Sequence, residues 1–329
     1  MGGYEKLKML NERCRNILNI IQKNGPITKN EIINRTGMKL TTLNRDIQIL
    51  IDNKIVIETA TAESTGGRKP VLYDVNMHGF YSIGIDISRT YTQIVITDLK
   101  MNIIREKLIN SPYDVNDVLD DIEGYIESML KGLKINKSEI IGIGIGIVGG
   151  FNVDTLKNRL SQIFNIPVYA DNGANMAVIG EYFFGIGRGS RNIVYINCGV
   201  GIRTGVISSG VLIRTINNSE DAFAHMIVDA GGEPCSCGNS GCVESYASIL
   251  KITKKFTDKN KKLKNINYID VCNLAEKKES TAFSIIMDAA MHFGIGLSNY
   301  IRLLNPYLII LSGPLIKNSR LFYDECRKT

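Results

Sequence analysis

The stretch Cys235-Ser236-Cys237-Gly238-Asn239-Ser240-Gly241-Cys242 holds three of the seven cysteines, and His225, one of three histidines, precedes it. Thiolates and one imidazole fill the four positions of tetrahedral zinc, and glycines permit the tight turns between them. Four protein ligands leave no position for water or substrate, so the spacing predicts a structural site. The predicted ligands are His225, Cys235, Cys237 and Cys242. The alternative is a set of free cysteines buried as small apolar side chains.

The same run, followed by Glu244, resembles the zinc-binding signature of the ROK family, named for repressor, open reading frame, kinase. This family contains bacterial sugar kinases and sugar-responsive repressors. The resemblance extends from about Tyr81 to the C-terminus, and the preceding residues resemble the DNA-binding module of the repressor branch. It implies an α/β protein with an N-terminal winged helix-turn-helix and an actin-like, ribonuclease-H-like domain whose two lobes close on a nucleotide and a second substrate.

Length and composition agree with two or three domains. The chain has 329 residues, of which 44% are apolar, and no apolar run is predicted to be long enough to span a bilayer. The N-terminus is not a secretory signal, and unpaired cysteines point to a reducing cytoplasm. The net charge of +6 is uneven, because residues 1–76 hold twelve Lys and Arg against eight Asp and Glu.

Apolar residues near the N-terminus recur with helical spacing. They are Leu7, Leu10, Cys14, Ile17, Leu18 and Ile21. This stripe predicts one helix that ends at Gly25-Pro26. Thr28 and Glu31 form a capping box for a short second helix, which stops at Gly37. A third helix from about Lys39 is predicted to bury Leu40, Leu43, Ile47 and Leu50. Two short helices around a glycine turn are typical of a helix-turn-helix.

Residues 55–57 and 71–75 are predicted to form a wing with a basic tip. Gly66 and Gly67 let the backbone approach DNA closely, and cations at the tip can enter a minor groove or bind phosphates. The predicted DNA-binding residues are Lys39, Thr41, Thr42, Asn44, Arg45, Arg68 and Lys69. On this interpretation Thr42, Asn44 and Arg45 face base edges, and Lys39 faces a phosphate. The alternative is a protein-interaction module with a solvated basic loop.

After the winged module (1–76), one layout occurs twice in residues 77–329. Lobe one, about 80–184, is predicted to have strands at 82–87, 92–98, 103–109, 140–147 and 167–170 and helices at 115–133, 153–164 and 174–184. Lobe two, about 190–329, has predicted strands at 192–198, 203–208, 211–214 and 307–312 and a long helix to Leu304. Three antiparallel strands followed by helix–strand alternation are typical of the actin-like fold. The closing strand and helix of lobe two are expected to be missing.

The motifs of active ROK kinases are altered in this sequence. Their Asp-x-Gly-Gly-Thr corresponds to Asp86-Ile87-Ser88-Arg89-Thr90, where two larger residues replace glycines. In the glycine-rich turn 199–205, Arg203 replaces a glycine. Gly173 stands where the resemblance places the Asp that accepts the sugar hydroxyl proton. Ala222 replaces a sugar-contacting Glu. The remaining glycines are interpreted as residues of ordinary hairpin turns. Two further motifs also differ: Val148-Gly149 stands where the family has Pro-Gly, and Gly313-Pro314 stands where it has Gly-Gly.

Loss of the base, of a sugar ligand and of phosphate glycines together predicts a protein without kinase activity. The leading hypothesis is a transcriptional repressor of carbohydrate genes that binds operator DNA and responds to a sugar-type effector. The protein is expected to be a homodimer or a higher homo-oligomer, to hold one structural zinc and to contact no membrane. Asn172 and Glu244 are the retained candidate effector ligands. The alternatives are an active sugar kinase with an accessory DNA-binding module and a DNA-binding protein without an effector.

Overall fold

The computed structural model describes residues 2–61, 70–88, 91–110, 115–147, 153–214, 222–261 and 266–329. The chain forms two compact units, Met1–Gly173 and Ala174–Thr329. Lobe one was predicted to end near position 184, so its last predicted helix falls in the second unit. The boundaries predicted for the winged module and the two lobes stay predictions.

The first unit begins with four helices and a small antiparallel sheet. The elements are α1 (Gly3–Lys8), α2 (Glu12–Asn24), β1 (Ile27–Thr28), α3 (Lys29–Thr36), α4 (Leu40–Asp52), β2 (Val56–Thr61) and β3 (Val71–Val75). The strands are arranged in the order β1-β3-β2. Buried Ile17 and Ile21 of α2 and Leu43 and Ile47 of α4 belong to the core that joins these elements. This is the predicted winged helix-turn-helix.

Local signals explain most helix ends in this module, with two corrections. The Thr28–Glu31 capping box begins α3, and Gly37 ends it with a left-handed backbone at φ +68°. The stripe predicted as one helix is interrupted, because the side chain of Asn11 accepts from the backbone N–H of Cys14 and begins a new helix. Leu40, predicted to be buried, is 51% exposed because it lies in the first, outward-facing turn of α4.

A five-stranded sheet completes the first unit. Its elements are β4 (Tyr81–Ile87), β5 (Tyr91–Thr97), β6 (Ile103–Asn110), α5 (Val115–Leu133), β7 (Ile140–Ile147), α6 (Asp154–Phe164) and β8 (Val168–Asn172). The strand order is β6-β5-β4-β7-β8, antiparallel between β4, β5 and β6 and parallel between β4, β7 and β8. Alternate residues of β4 are buried, as expected for a strand with one face on the core.

The turn between β5 and β6, residues 98–102, is in contact with the winged helix. Leu99 is buried in the helix-turn-helix core, and its carbonyl accepts from Nε2 of Gln22. Nζ of Lys100 lies 2.6 Å from Oδ2 of Asp74 and donates to the carbonyl of Gly25 over 3.1 Å. Apolar and charged contacts thus join the two parts of this unit.

The second unit repeats the sheet-and-helix layout. Its elements are α7 (Gly173–Phe183), β9 (Ile193–Cys198), β10 (Ile202–Ser208), β11 (Val211–Leu212), α8 (Val243–Ala247), α9 (Ile249–Lys259), α10 (Tyr268–Glu276), α11 (Ser280–Leu304), β12 (Leu308–Ser312), α12 (Pro314–Asn318) and α13 (Arg320–Lys328). The strand order is β11-β10-β9-β12, with β12 parallel to β9. The repeated layout confirms the predicted actin-like architecture.

No apolar run was expected to be long enough to span a bilayer, but helix α11 is long and apolar enough by length and composition alone. Ala282, Ile286, Ala289 and Phe293 of this helix are buried in the core of the second unit. Burial of 56% of its most apolar window is the pattern of a core helix, so the helix is weak evidence for a membrane span.

Candidate functional site

The four predicted metal ligands converge in the second unit. The ligand atoms of His225, Cys235, Cys237 and Cys242 all lie within 4.8 Å of one another. Sγ of Cys235 is 3.5 Å from Nδ1 of His225, and Sγ of Cys237 is 3.7 Å from Sγ of Cys242. Such spacing is close to that between neighbouring ligands of a tetrahedral ion, so the cluster could bind a metal.

Tight backbone turns bring these ligands together. Gly238 and Gly241 have φ values of +94° and +78°, which L side chains rarely adopt. A Cβ on Gly241 would overlap the carbonyl oxygen of Asp229. The backbone N–H of Cys235 donates to Asn239 over 2.8 Å, which closes the first turn of the loop. Gly241 is therefore required both by its φ value and by close backbone approach, whereas Gly238 is favoured by its φ value alone.

The protonation of the thiols also fits a bound cation. Burial raises the pKa of Cys235, but hydrogen bonds from the Cys237 backbone and the Ser245 hydroxyl outweigh it and lower the pKa to about 6. Burial, together with the neighbouring Cys237 and Cys235 thiols, raises the pKa of Cys242 to about 12. Closely spaced thiols resist joint ionisation because like charges repel, and a divalent metal would remove that cost.

A second group of side chains, which the sequence analysis missed, holds this loop against the helices. The hydroxyl of Tyr246 on α8 donates to Asp229 over 2.7 Å and accepts from the backbone N–H of Glu233 over 3.0 Å. The Tyr246 ring stacks on His292 of α11, with centroids 3.7 Å apart. Lys255 lies 4.5 Å above the same ring. The rarity of histidine in the chain was the one sequence signal for His292.

Glu244, a predicted effector ligand, contacts the turn between β9 and β10. Its Oε2 accepts from the backbone N–H of Ile202 over 2.9 Å and from Nη1 of Arg203 over 3.2 Å. A Cβ on Gly201 would lie 2.8 Å from Oε2 of Glu244 and 2.9 Å from Nη1 of Arg203. This ion pair occupies the space beside the glycine turn. Ala222 is exposed upstream of the metal ligands.

In the first unit, Gly173 follows β8. A Cβ at Gly173 would lie 3.6 Å from Oδ1 of Asp86, so this position has room for a side chain. Asp86 accepts from the Tyr91 hydroxyl over 3.0 Å, and burial raises the pKa of Asp86 although that hydrogen bond opposes the rise. Asp171 accepts from the backbone N–H of Asn172 over 2.8 Å. Arg89, Thr90, Val148 and Gly149 lie outside the described residues.

The helix predicted from about Lys39 is α4 in the structure. Its predicted DNA-facing residues lie at one end and along one face. Lys39, Thr41, Asn44 and Arg45 are exposed, and Thr42 is half-buried. The opposite face packs on α2 through Leu43 and Ile47. Arg68 and Lys69 of the predicted wing tip lie outside the described residues. The geometry presents short polar side chains and a cation on a helix narrow enough for a major groove.

Comparisons with known proteins agree with both parts of the fold. Residues 10–57 match a winged helix-turn-helix DNA-binding family. The xylose repressor of Bacillus subtilis (strain 168) is 30% identical, with 98% of this chain and 86% of the relative covered. The glucokinase of Halalkalibacterium halodurans is 27% identical over 71% of this chain and 80% of its own length.

A solved ROK family transcriptional regulator, described as a homolog of the E. coli MLC protein, is similar over nearly the whole chain. Its TM-score is 0.78 at 21% identity, with 98% of this chain and 87% of that chain covered. At this identity the similarity shows the fold. Residues 82–329, three quarters of the sequence, match the ROK family, and the chain belongs to that family.

Proposed function

We propose that this protein is a sugar-responsive transcriptional repressor that binds operator DNA through its winged helix-turn-helix. The exposed polar face of α4 is the observation that carries this proposal, because it gives the winged helix-turn-helix a surface suited to DNA. The same chain carries a kinase-type fold that lacks the catalytic carboxylate. Similarity to a xylose repressor over 98% of the chain supports the same conclusion.

Thr42, Asn44 and Arg45 are the proposed base contacts. Lys39 would bind a phosphate, and Thr41 lies on the same exposed helix face. The wing residues Arg68 and Lys69 would add phosphate or minor-groove contacts. A homodimer would present two recognition helices with two-fold symmetry, so we expect a nearly palindromic operator.

The proposed effector is a sugar or sugar derivative, with Asn172 and Glu244 as candidate ligands. Arg203 makes part of the Glu244 carboxylate unavailable, so a sugar would share that carboxylate or displace the guanidinium. An effector that prefers the arrangement unable to bind DNA would lower operator affinity by its differential affinity for the two arrangements.

We further propose that the protein is not a sugar kinase. A kinase needs a carboxylate that accepts the hydroxyl proton, and Gly173 supplies none at the corresponding position. Asp86 lies nearby, but it is bonded to Tyr91, and burial favours its protonated form. The Arg203–Glu244 pair also fills the turn that would approach a phosphate.

Zinc is the proposed occupant of the His225 and cysteine cluster, with a structural role. When bound, zinc would supply the charge that lets the thiolates coexist and would fix the loop that leads into α8. All seven cysteines are free thiols, which is consistent with the cytoplasmic location that we propose for a DNA-binding protein.

Binding-site selection on genomic fragments, followed by fluorescence anisotropy with monosaccharides and their phosphates, tests this function. We expect tight, salt-dependent binding to a selected fragment that one of the sugars weakens. Binding that no sugar alters would favour a DNA-binding protein without an effector. Phosphorylation of a hexose by ATP, lost on mutation of this chain, would favour the kinase alternative.

A further inference from the structure

A buried carboxylate connects two exposed arginines in the winged helix. Asp46 on α4 is fully buried, with 0% of its side chain exposed. Its Oδ2 accepts from Nε of Arg13 on α2 over 2.9 Å, and its Oδ1 accepts from Nε of Arg45 over 3.3 Å. The arginine side chains are 52% and 64% exposed, so the charge of Asp46 lies inside while both guanidinium groups reach the surface.

Stability alone is a weak reason for this arrangement. Desolvation of a carboxylate is costly, and a buried ion pair is often no more stable than apolar residues of similar volume. The neighbouring positions Leu43, Ile47 and Leu50 of α4 are filled by such residues. Asp46 can do what an apolar residue at this position could not: its carboxylate holds the guanidinium groups of Arg13 and Arg45 in fixed directions.

The contacts determine which nitrogen atoms are available. Each arginine donates to Asp46 through Nε, and the described residues include no further partner for either guanidinium. Both side chains are more than half exposed, so the two terminal nitrogens of each group are available to a ligand. Two such donors match the O6 and N7 acceptors of guanine in the major groove. Because Nε of Arg45 donates to Asp46, Arg45 can contact a guanine only through its two terminal nitrogens.

We propose that Asp46 is a positioning residue for DNA recognition, which orients Arg45 toward a guanine edge and holds Arg13 beside it as a phosphate contact. Arg45 lies on the same exposed face as Thr41 and Asn44, whereas Arg13 comes from a different helix. Both guanidinium groups lie within 3.3 Å of one carboxylate, so they are neighbours on one surface. This inference rests on the DNA-binding function proposed above.

Fluorescence anisotropy with the selected operator and its single-base-pair variants tests the role of Asp46. In the parent protein, exchange of the guanine read by Arg45 should weaken binding about 5- to 150-fold. Asp46→Asn should reduce that ratio to near 1, and because it also releases Arg13, it should weaken binding to unrelated DNA no more than Arg13→Ala does. Arg45→Ala added to Asp46→Asn should have almost no further effect on the ratio, since the two residues act together.

Arg13 has a matched control two residues away on the same helix. Arg13→Ala should weaken binding to all sequences and lower the salt slope by about 1, as loss of one phosphate contact does. Arg15 is exposed on α2 and donates to the carbonyl of Lys8 rather than to Asp46. Arg15→Ala removes the same charge and should leave the base-pair ratio and affinity close to those of the parent.

A second variant tests the same role if Asp46→Asn does not fold. Asp46→Leu combined with Arg13→Met replaces the buried pair by apolar side chains, which such sites commonly tolerate, and leaves Arg45 without its partner. Thermal unfolding verifies that this variant is folded, and its base-pair ratio should also fall to near 1. An unchanged ratio in either folded variant would overturn the role of Asp46 alone. Failure of the parent to bind any fragment would overturn the proposed function as well.

Discussion

Replacement of Lys100 by Met tests the connection between the winged helix and the sheet of the first unit. The side chain of Lys100 is 23% exposed and that of Asp74 is 8% exposed, with 2.6 Å between Nζ and Oδ2. Methionine retains most of the apolar stem of lysine but removes the charge. The carboxylate of Asp74 would therefore remain buried without a cation.

The size of the effect follows from this burial. Removing one partner of a buried ion pair costs about 3–5 kcal/mol. We expect about 3 kcal/mol, because Lys100 is partly solvated and the backbone N–H of Val75 still donates to Oδ1 of Asp74 over 2.8 Å. At about 2–4 °C per kcal/mol, the Tm of the transition that unfolds this unit should fall by about 6–12 °C.

Differential scanning calorimetry and urea titration measure this change. Lys107 lies on the same hairpin, is exposed, and has its Nζ 5.2 Å from the centroid of the Tyr125 ring. Lys107→Met removes the same charge and should cost less than about 1 kcal/mol. Asp74→Asn added to Lys100→Met should restore part of the stability, because it removes the unpaired charge. Equal effects of the two lysine variants would refute the buried-pair argument.

Three further outcomes are expected. Cys237→Ala should abolish binding of one zinc per chain in metal analysis, whereas Ser236→Ala in the same loop should retain it; metal-free parent protein would contradict the site. Gly173→Asp should give no ATP-dependent sugar phosphorylation by coupled assay, because the altered phosphate turns remain, and rescue would contradict that reasoning. Asp86→Asn should raise stability by on the order of 1 kcal/mol at pH 7 and less at acidic pH. Burial raises the pKa of Asp86 in the folded state. The carboxyl therefore contributes to the free energy of unfolding below its unfolded pKa, and this contribution is lost as pH rises through the folded pKa. Equal gains at both pH values would exclude this titration.

Local patterns predicted the parts of this structure that depend on local physics. The periodicity of α5 and the alternation in β7 gave their bounds as observed, because each buries one face on a core. The metal cluster was predicted because its ligands lie close in sequence. The winged helix-turn-helix and the repeated sheet were likewise expected from their order along the chain.

Features that depend on distant residues were not predicted. The Arg13–Asp46 pair spans 33 positions, and the stacking of Tyr246 on His292 joins two helices far apart in sequence. Neither leaves a periodic signal. The exposure of Leu40 was missed for a related reason, because tertiary packing decides which side of the first helical turn faces the core. The roles of the DNA, metal and effector residues stay predictions.

Cys242 has two roles in the second unit, since it is a candidate metal ligand and also the N-cap residue of α8. Glu244 follows in the first turn of that helix and contacts the β9–β10 turn. A metal ion and a sugar held by Glu244 would therefore be linked thermodynamically. By reciprocity, the factor by which the sugar changes metal affinity must equal the factor by which the metal changes sugar affinity. Sensitivity to the effector would then depend on the supply of zinc in the cell.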